Sequence, residues 1–142
     1  MNASILVPFD GSPGARRALE HAIERAKSDP ITVHLVNVEL PLDDYGMVPA
    51  YLPPARHHAL TAAHGEALLA PAVERLKREH VEHEAHVVWG DVAASLVGAA
   101  RRLKCESIVM GTRGMGAIGN LLFGSTATRL VHLSPVPVTL VK

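Results

Sequence analysis

Short apolar runs and longer stretches of helical spacing take turns along the chain, and glycine, proline, serine or aspartate marks most of the junctions. The first run, Ile5 to Phe9, ends at "DGSPG", where Ser12 suits a helix cap and Pro13 the first helical turn. Ala15, Ala18, Leu19, Ala22, Ile23 and Ala26 then recur at helical spacing, with Arg16, Arg17, Glu20, Glu24, Arg25 and Lys27 opposite them. "ITVHLVNVEL", residues 31–40, is dense in β-branched side chains and predicts the second strand. Pro41, Pro49, Pro53 and Pro54 predict a long irregular connection, because proline removes donors and fixes the backbone. A second helix is expected from about Ala55 to about His80, kinked or broken at Gly65 and Pro71. "HEAHVVWG" predicts the third strand, Asp91 a cap, Val92 to Leu103 the third helix, and "SIVMG" the fourth strand. Ser125 to Leu133 predicts the last helix and "VPVTLV" the fifth strand.

Five apolar strands separated by four helices predict an α/β fold: an open, doubly wound parallel sheet with helices on both faces. At 142 residues, the chain fits one domain, 1–142, with a core that needs neither disulfide nor structural metal. Apolar residues make up 48% but aromatics only 4%, so that core must be built from Val, Leu, Ile and Ala. Lys plus Arg equals Asp plus Glu at 14 each, so no global field draws nucleic acid or a membrane surface. Cys105 is the only cysteine, which excludes an internal disulfide and CxxC chemistry and fits a reducing compartment. "MNASILVPFDGS" lacks the pattern of a signal peptide and no run reaches the ~20 apolar residues of a membrane span, so a cytoplasmic location is expected.

"GTRGMGAIGNLLFGSTATRL", Gly111 to Leu130, holds five glycines, two arginines and no acid. Bare backbone lets main-chain N–H groups approach an anion, so the phosphates of a nucleotide are the expected ligand. Gly114, Gly116 and Gly119 spell GxGxxG, yet the dinucleotide fingerprint belongs in the first strand-to-helix turn, with an acid ~20 residues later. No Asp or Glu follows Glu106, and the lysine of a P-loop is missing too, since Lys104 and Lys142 stand outside the stretch. The informative spacing is Gly111, two residues, Gly114, nine residues, then Gly124 and Ser125.

That spacing closely resembles the nucleotide-binding motif of the universal stress protein family, in its ATP-binding branch. The resemblance extends to "ILVPFDGSPGARRALEHA", "VHLVNV", "GDVAASLVGAA", "SIVMGTRG" and "PVPVTLV", in that order along nearly the whole chain. It implies an adenine-nucleotide alpha-hydrolase-like fold with strand order 3-2-1-4-5 and a homodimer joined by antiparallel pairing of Val136 to Val141. It also implies a stress-response module that binds ATP with magnesium. Val38 would offer its backbone to the adenine edge and Pro8 would shape the wall under the base. Asp10 would lie near the ribose or a magnesium ion, and Gly111, Gly114, Gly124, Ser125 and Thr126 would hold the phosphates.

The residues point the same way. Asp10 ends the first strand and Gly111 the fourth, so their loops should face one another across a crevice at the point where strand order reverses. The N–H groups and positive dipole end of the last helix favour phosphate at Gly124, Ser125 and Thr126, and Arg113 adds a charge at the start of the loop. The alternative is a slow ATP hydrolase or nucleotidyl transferase on the same fold. No lysine clamp and no second acid beside Asp10 stands near the glycines, so slow hydrolysis at most is expected and no catalytic residue is assigned. Nine histidines include His80, His83 and His86, and His57, His58 and His64. Ligand pairs favour i, i+4 on a helix and i, i+2 on a strand, so these sets read as solvated or partly buried side chains. Cys105 and Trp89 read as packing residues.

Overall fold

The computed structural model describes residues 2–40, 53–112 and 124–142. Its elements are β1 (Ala3–Pro8), α1 (Pro13–Ser28), β2 (Ile31–Glu39), α2 (Pro54–Arg78), β3 (His83–Trp89), α3 (Val92–Arg102), β4 (Ser107–Gly111), α4 (Ser125–Leu133) and β5 (Val138–Val141). All strand pairings are parallel, in the order β3-β2-β1-β4-β5. The order reverses between β1 and β4, which are separated in the chain by three crossovers, through α1, α2 and α3.

Successive strand residues point to opposite faces, and this sorts the apolar side chains into two cores. Ile5, Val7, Val33, Leu35 and Val109 pack with Leu19, Ile23 and Leu76 of α1 and α2. Leu6, Val36, Ile108 and Met110 pack with Leu96, Ala100 and Leu130 of α3 and α4. Buried on both faces, β1 and β4 have no room for a polar stripe, which is why they read as continuous apolar runs.

The helix starts differ. Ser12 caps α1 by accepting from the Ala15 N–H at 3.2 Å, and Asp91 caps α3 by accepting from the Ala94 N–H at 3.0 Å. At α4 the cap position is Gly124, which has no side chain to offer. Its first-turn N–H groups are therefore left for another acceptor.

Two expectations need correction. α2 runs unbroken through Gly65 and Pro71. Leu69 and Leu76 flank the proline and are buried, and at ~1.5–3 kcal/mol each their burial outweighs the ~3 kcal/mol cost of an internal proline. Gly65 is a contact point rather than a break: a Cβ there would fall 2.8 Å from Asn37 Oδ1 and 2.8 Å from Val87 Cγ1. β5 begins at Val138, not Val136, because Ser134 ties up the main chain ahead of it. Its hydroxyl accepts from the Val136 N–H and donates to the Val136 carbonyl oxygen. The connection predicted around Pro41 and Pro49 lies outside the described residues, as do Gly116 and Gly119.

Candidate functional site: the cleft at the β1/β4 switch point

Where β1 and β4 end, at the switch point of the sheet, lies a cleft of about 620 Å³. Pro8 and Asp10 come from the end of β1, Val38 from β2, Gly111 from β4, and Gly124, Ser125 and Thr126 from the start of α4. Seven of the nine residues picked out in the sequence thus line one cavity, drawn from opposite ends of the chain. Arg113 and Gly114 lie outside the described residues.

The cleft has an apolar side and a polar side. Val36, Val38, Leu96 and Met110 form a floor suited to a flat, weakly polar group such as a base. Asp10 and the open end of α4 supply the polar part of the lining. Asp10 is exposed, and its Oδ1 accepts from the Ser12 N–H at 2.9 Å. Among the described residues its Oδ2 has no hydrogen-bond partner.

The two glycines of the cleft serve different ends. A Cβ on Gly111 would fall 2.4 Å from the carbonyl oxygen and 2.7 Å from the Cα of Gly14, so here the end of β4 and the start of α1 touch backbone to backbone. Among the described residues a Cβ on Gly124 would meet nothing within 4 Å, and Gly124 lines the cleft. Gly14, Ser12, Asn37 and Thr112 also line the cavity and carry no motif that singles them out. Asn37 Nδ2 donates to the Phe9 carbonyl oxygen at 3.1 Å, and the Phe9 N–H donates to the Val36 carbonyl oxygen at 2.9 Å, which together pin the end of β1 to β2. Thr112 holds the other wall, donating from its N–H to the Val141 carbonyl oxygen at 2.9 Å.

Beside the cleft, Arg129 of α4 forks onto both carboxylate oxygens of the α3 cap, at 2.8 and 3.2 Å to Asp91. That guanidinium, and the Ala94 N–H after it, hold the Asp91 carboxyl below the usual carboxylate range. The nearby acid therefore adds no uncompensated negative charge to the rim.

An open five-stranded parallel sheet in the order 3-2-1-4-5, with a ligand-sized cleft at its switch point, defines an adenine-nucleotide alpha-hydrolase-like fold. Within that class the chain belongs to the universal stress protein family, whose sequence pattern matches residues 1–142. It is 34% identical over 142 residues to a universal stress protein of Thermus aquaticus, covering 100% of both chains. A solved universal stress protein of Archaeoglobus fulgidus is 25% identical with a TM-score of 0.75, again over 100% of both chains. The same fold recurs in an Archaeoglobus fulgidus universal stress protein solved in complex with dAMP, at 22% identity and a TM-score of 0.70, over 100% of this chain and 98% of that one. No helix among the described residues is long and apolar enough to cross a membrane.

Proposed function

We propose that this chain is a single-domain, cytoplasmic, nucleotide-dependent regulatory module of the stress response, which binds ATP with magnesium in the switch-point cleft. The observation that carries the reading is the uncapped start of α4, which lines one apolar-floored cavity together with Asp10. First-turn N–H groups without an internal partner, at the positive end of a helix dipole, make a site for phosphate. A fold neighbour solved in complex with dAMP supports an adenine nucleotide as the occupant. The α4 terminus gives a reason to expect further phosphates.

In this reading the Val38 backbone meets the adenine edge, Pro8 walls the base, and Asp10 holds the ribose or the magnesium. Gly111 and Gly114 contribute main-chain N–H groups, Gly124, Ser125 and Thr126 hold the terminal phosphates, and Arg113 adds a positive charge. One free carboxylate oxygen at Asp10 together with phosphate oxygens is a donor set that magnesium accepts, and the ion would neutralise phosphate charge. Nothing described in the cleft orients an attacking water, so ground state and transition state are held alike and occupancy outlasts turnover. The expected hydrolysis rate is about one per minute or less, against ~1–10³ per second for ordinary enzymes. Occupancy then changes a surface that a partner protein reads, in a homodimer joined through Val136 to Val141.

The test is to identify by mass spectrometry the nucleotide that copurifies with the protein, and to compare ATP and AMP by calorimetry on the parent and Gly124→Val. ATP should bind the parent more tightly than AMP, and Gly124→Val should lose ATP with its circular dichroism unchanged. Equal ATP affinity in parent and variant would place the phosphate site elsewhere. A single-turnover rate above about one per second that collapses in Asp10→Ala at unchanged affinity would favour the enzyme.

A further inference from the structure

Away from the cleft, three metal-ligating side chains converge where β2 pairs with β3. His34 stands in register with Glu84, and Val36 with His86. Residues two apart on a strand share a face, so His34, Glu84 and His86 leave the sheet on the side of Val36 and Val88, the side covered by α3. His34 Nδ1 lies 3.1 Å from His86 Nε2 and 3.6 Å from Glu84 Oε2. His86 Nε2 lies 3.5 Å from that same oxygen. Among the described residues this is the one group of three such side chains whose ligand atoms meet.

The three atoms form a nearly equilateral triangle. A tetrahedral ion with bonds of ~2.0–2.1 Å needs ligand atoms ~3.3–3.4 Å apart, close to the mean of these edges. In the plane of the three atoms the equidistant point lies about 2.0 Å from each, and a tetrahedral ion slightly above that plane would have bonds of ~2.1 Å, so the spacing matches zinc. Octahedral bonds of ~2.1 Å would draw facial ligands to about 3.0 Å, shorter than every edge. Two imidazoles and one carboxylate suit zinc, whereas magnesium and calcium prefer all-oxygen sets.

We propose that His34 Nδ1, His86 Nε2 and Glu84 Oε2 form a zinc site, with water as the fourth ligand on the open side where Glu84 is 60% exposed. The ion clamps the edge strand β3 to β2. None of the three ligands lines the cleft, whose nearest lining residue on β2 is Val36, two residues or ~7 Å from His34. The zinc site itself needs no nucleotide and is tested without one.

The full chain, stripped with EDTA and free of nucleotide, is titrated with ZnCl₂ by calorimetry and with Co²⁺ by visible absorption. One Zn²⁺ per chain and the intense bands of four-coordinate Co²⁺ are expected. Glu84→Gln and His86→Gln each remove a ligand, and since losing even an outer-shell partner costs ~10–100-fold, each should weaken binding by ~100-fold or more. His83→Gln should leave binding unchanged, because His83 Nδ1 lies 2.8 Å from the Val81 carbonyl oxygen, outside the cluster. Zn²⁺ should also raise the melting temperature of the parent and of His83→Gln but not of Glu84→Gln, whose exposed position makes it the safe variant for folding. No Zn²⁺ binding by the parent overturns the site. So does binding that survives both Glu84→Gln and His86→Gln, because other histidines would then hold the ion.

Discussion

At Gly111 any side chain strikes backbone, and at Gly124 it meets no described residue within 4 Å. Gly111→Ala should therefore cost ~1–3 kcal/mol or more, because main chain cannot swing aside as a flexible side chain can. Gly124→Ala should stay within ~0.5 kcal/mol of the parent. Urea unfolding of the two variants tests the contrast, and equal losses would contradict it. Both positions stood out in the sequence, since each belongs to the same glycine spacing. What spacing cannot reveal is that Gly111 serves packing against Gly14, a contact that exists only once α1 and β4 are side by side. Cys105 was readable as a core residue, and burial pushes its thiol up to about 11. At pH 8 only ~0.1% is then thiolate, so a disulfide reagent should label it slowly in the native protein and rapidly in guanidinium. Fast native labelling would show that the thiol is exposed.

Among elements, α2 and α3 offer a controlled comparison, because each carries one internal glycine. Gly98 has no described residue within 4 Å of its absent Cβ, so Gly98→Ala should stabilise by the helix-propensity difference, ~1 kcal/mol. Gly65→Ala would gain the same amount but force contacts of 2.8 Å with Asn37 and Val87, an overpacking cost of ~1–3 kcal/mol. Its net effect should be destabilising, and thermal melts showing both variants stabilised would refute that account. The expected break in α2 failed for the same reason: glycine and proline are local signals, while the burial of Leu69 and Leu76 against the sheet is not. Strands and the other helices were legible because their periodicity and caps are local. The α3–α4 contact through Asp91 and Arg129 has a pH signature. Asp91 is depressed in the folded protein, so its contribution is present above its ordinary value, near pH 4, and fades as acid takes the folded group through its own lower value. Arg129→Gln should thus reduce stability at pH 7 and have a shrinking effect below about pH 4, read by urea unfolding across pH. An effect of the same size at every pH would mean that Arg129 acts by packing alone.

For the whole molecule, the order of strands explains which parts of the site were readable. Asp10, Gly124, Ser125 and Thr126 sit at ends of elements, where a motif and its neighbours stand together in the chain. The meeting of His34 with Glu84 and His86 depends on the register between β2 and β3, and no local pattern encodes that. The sheet also has a free edge at β5. The carbonyl oxygens of Pro137 and Val141 accept from Ile108 and Thr112 of the interior, so Val138 and Leu140, between them, turn their N–H groups outward. Pairing that edge with a second copy would remove an aggregation-prone template. Val138→Pro deletes one outward donor without disturbing the β4 ladder, and should turn a homodimer into monomer in sedimentation. A monomeric parent, or a dimer indifferent to Val138→Pro, would rule out this mode of pairing. The close approach of Gly14 to Gly111 bears, finally, on how the protein is born. One wall of the cleft leaves the ribosome within the first 40 residues, but the opposing wall waits for β4 and α4, near the end of synthesis. A nascent chain therefore has half a pocket for most of its translation, and a small molecule can reward only the finished product, never guide its making.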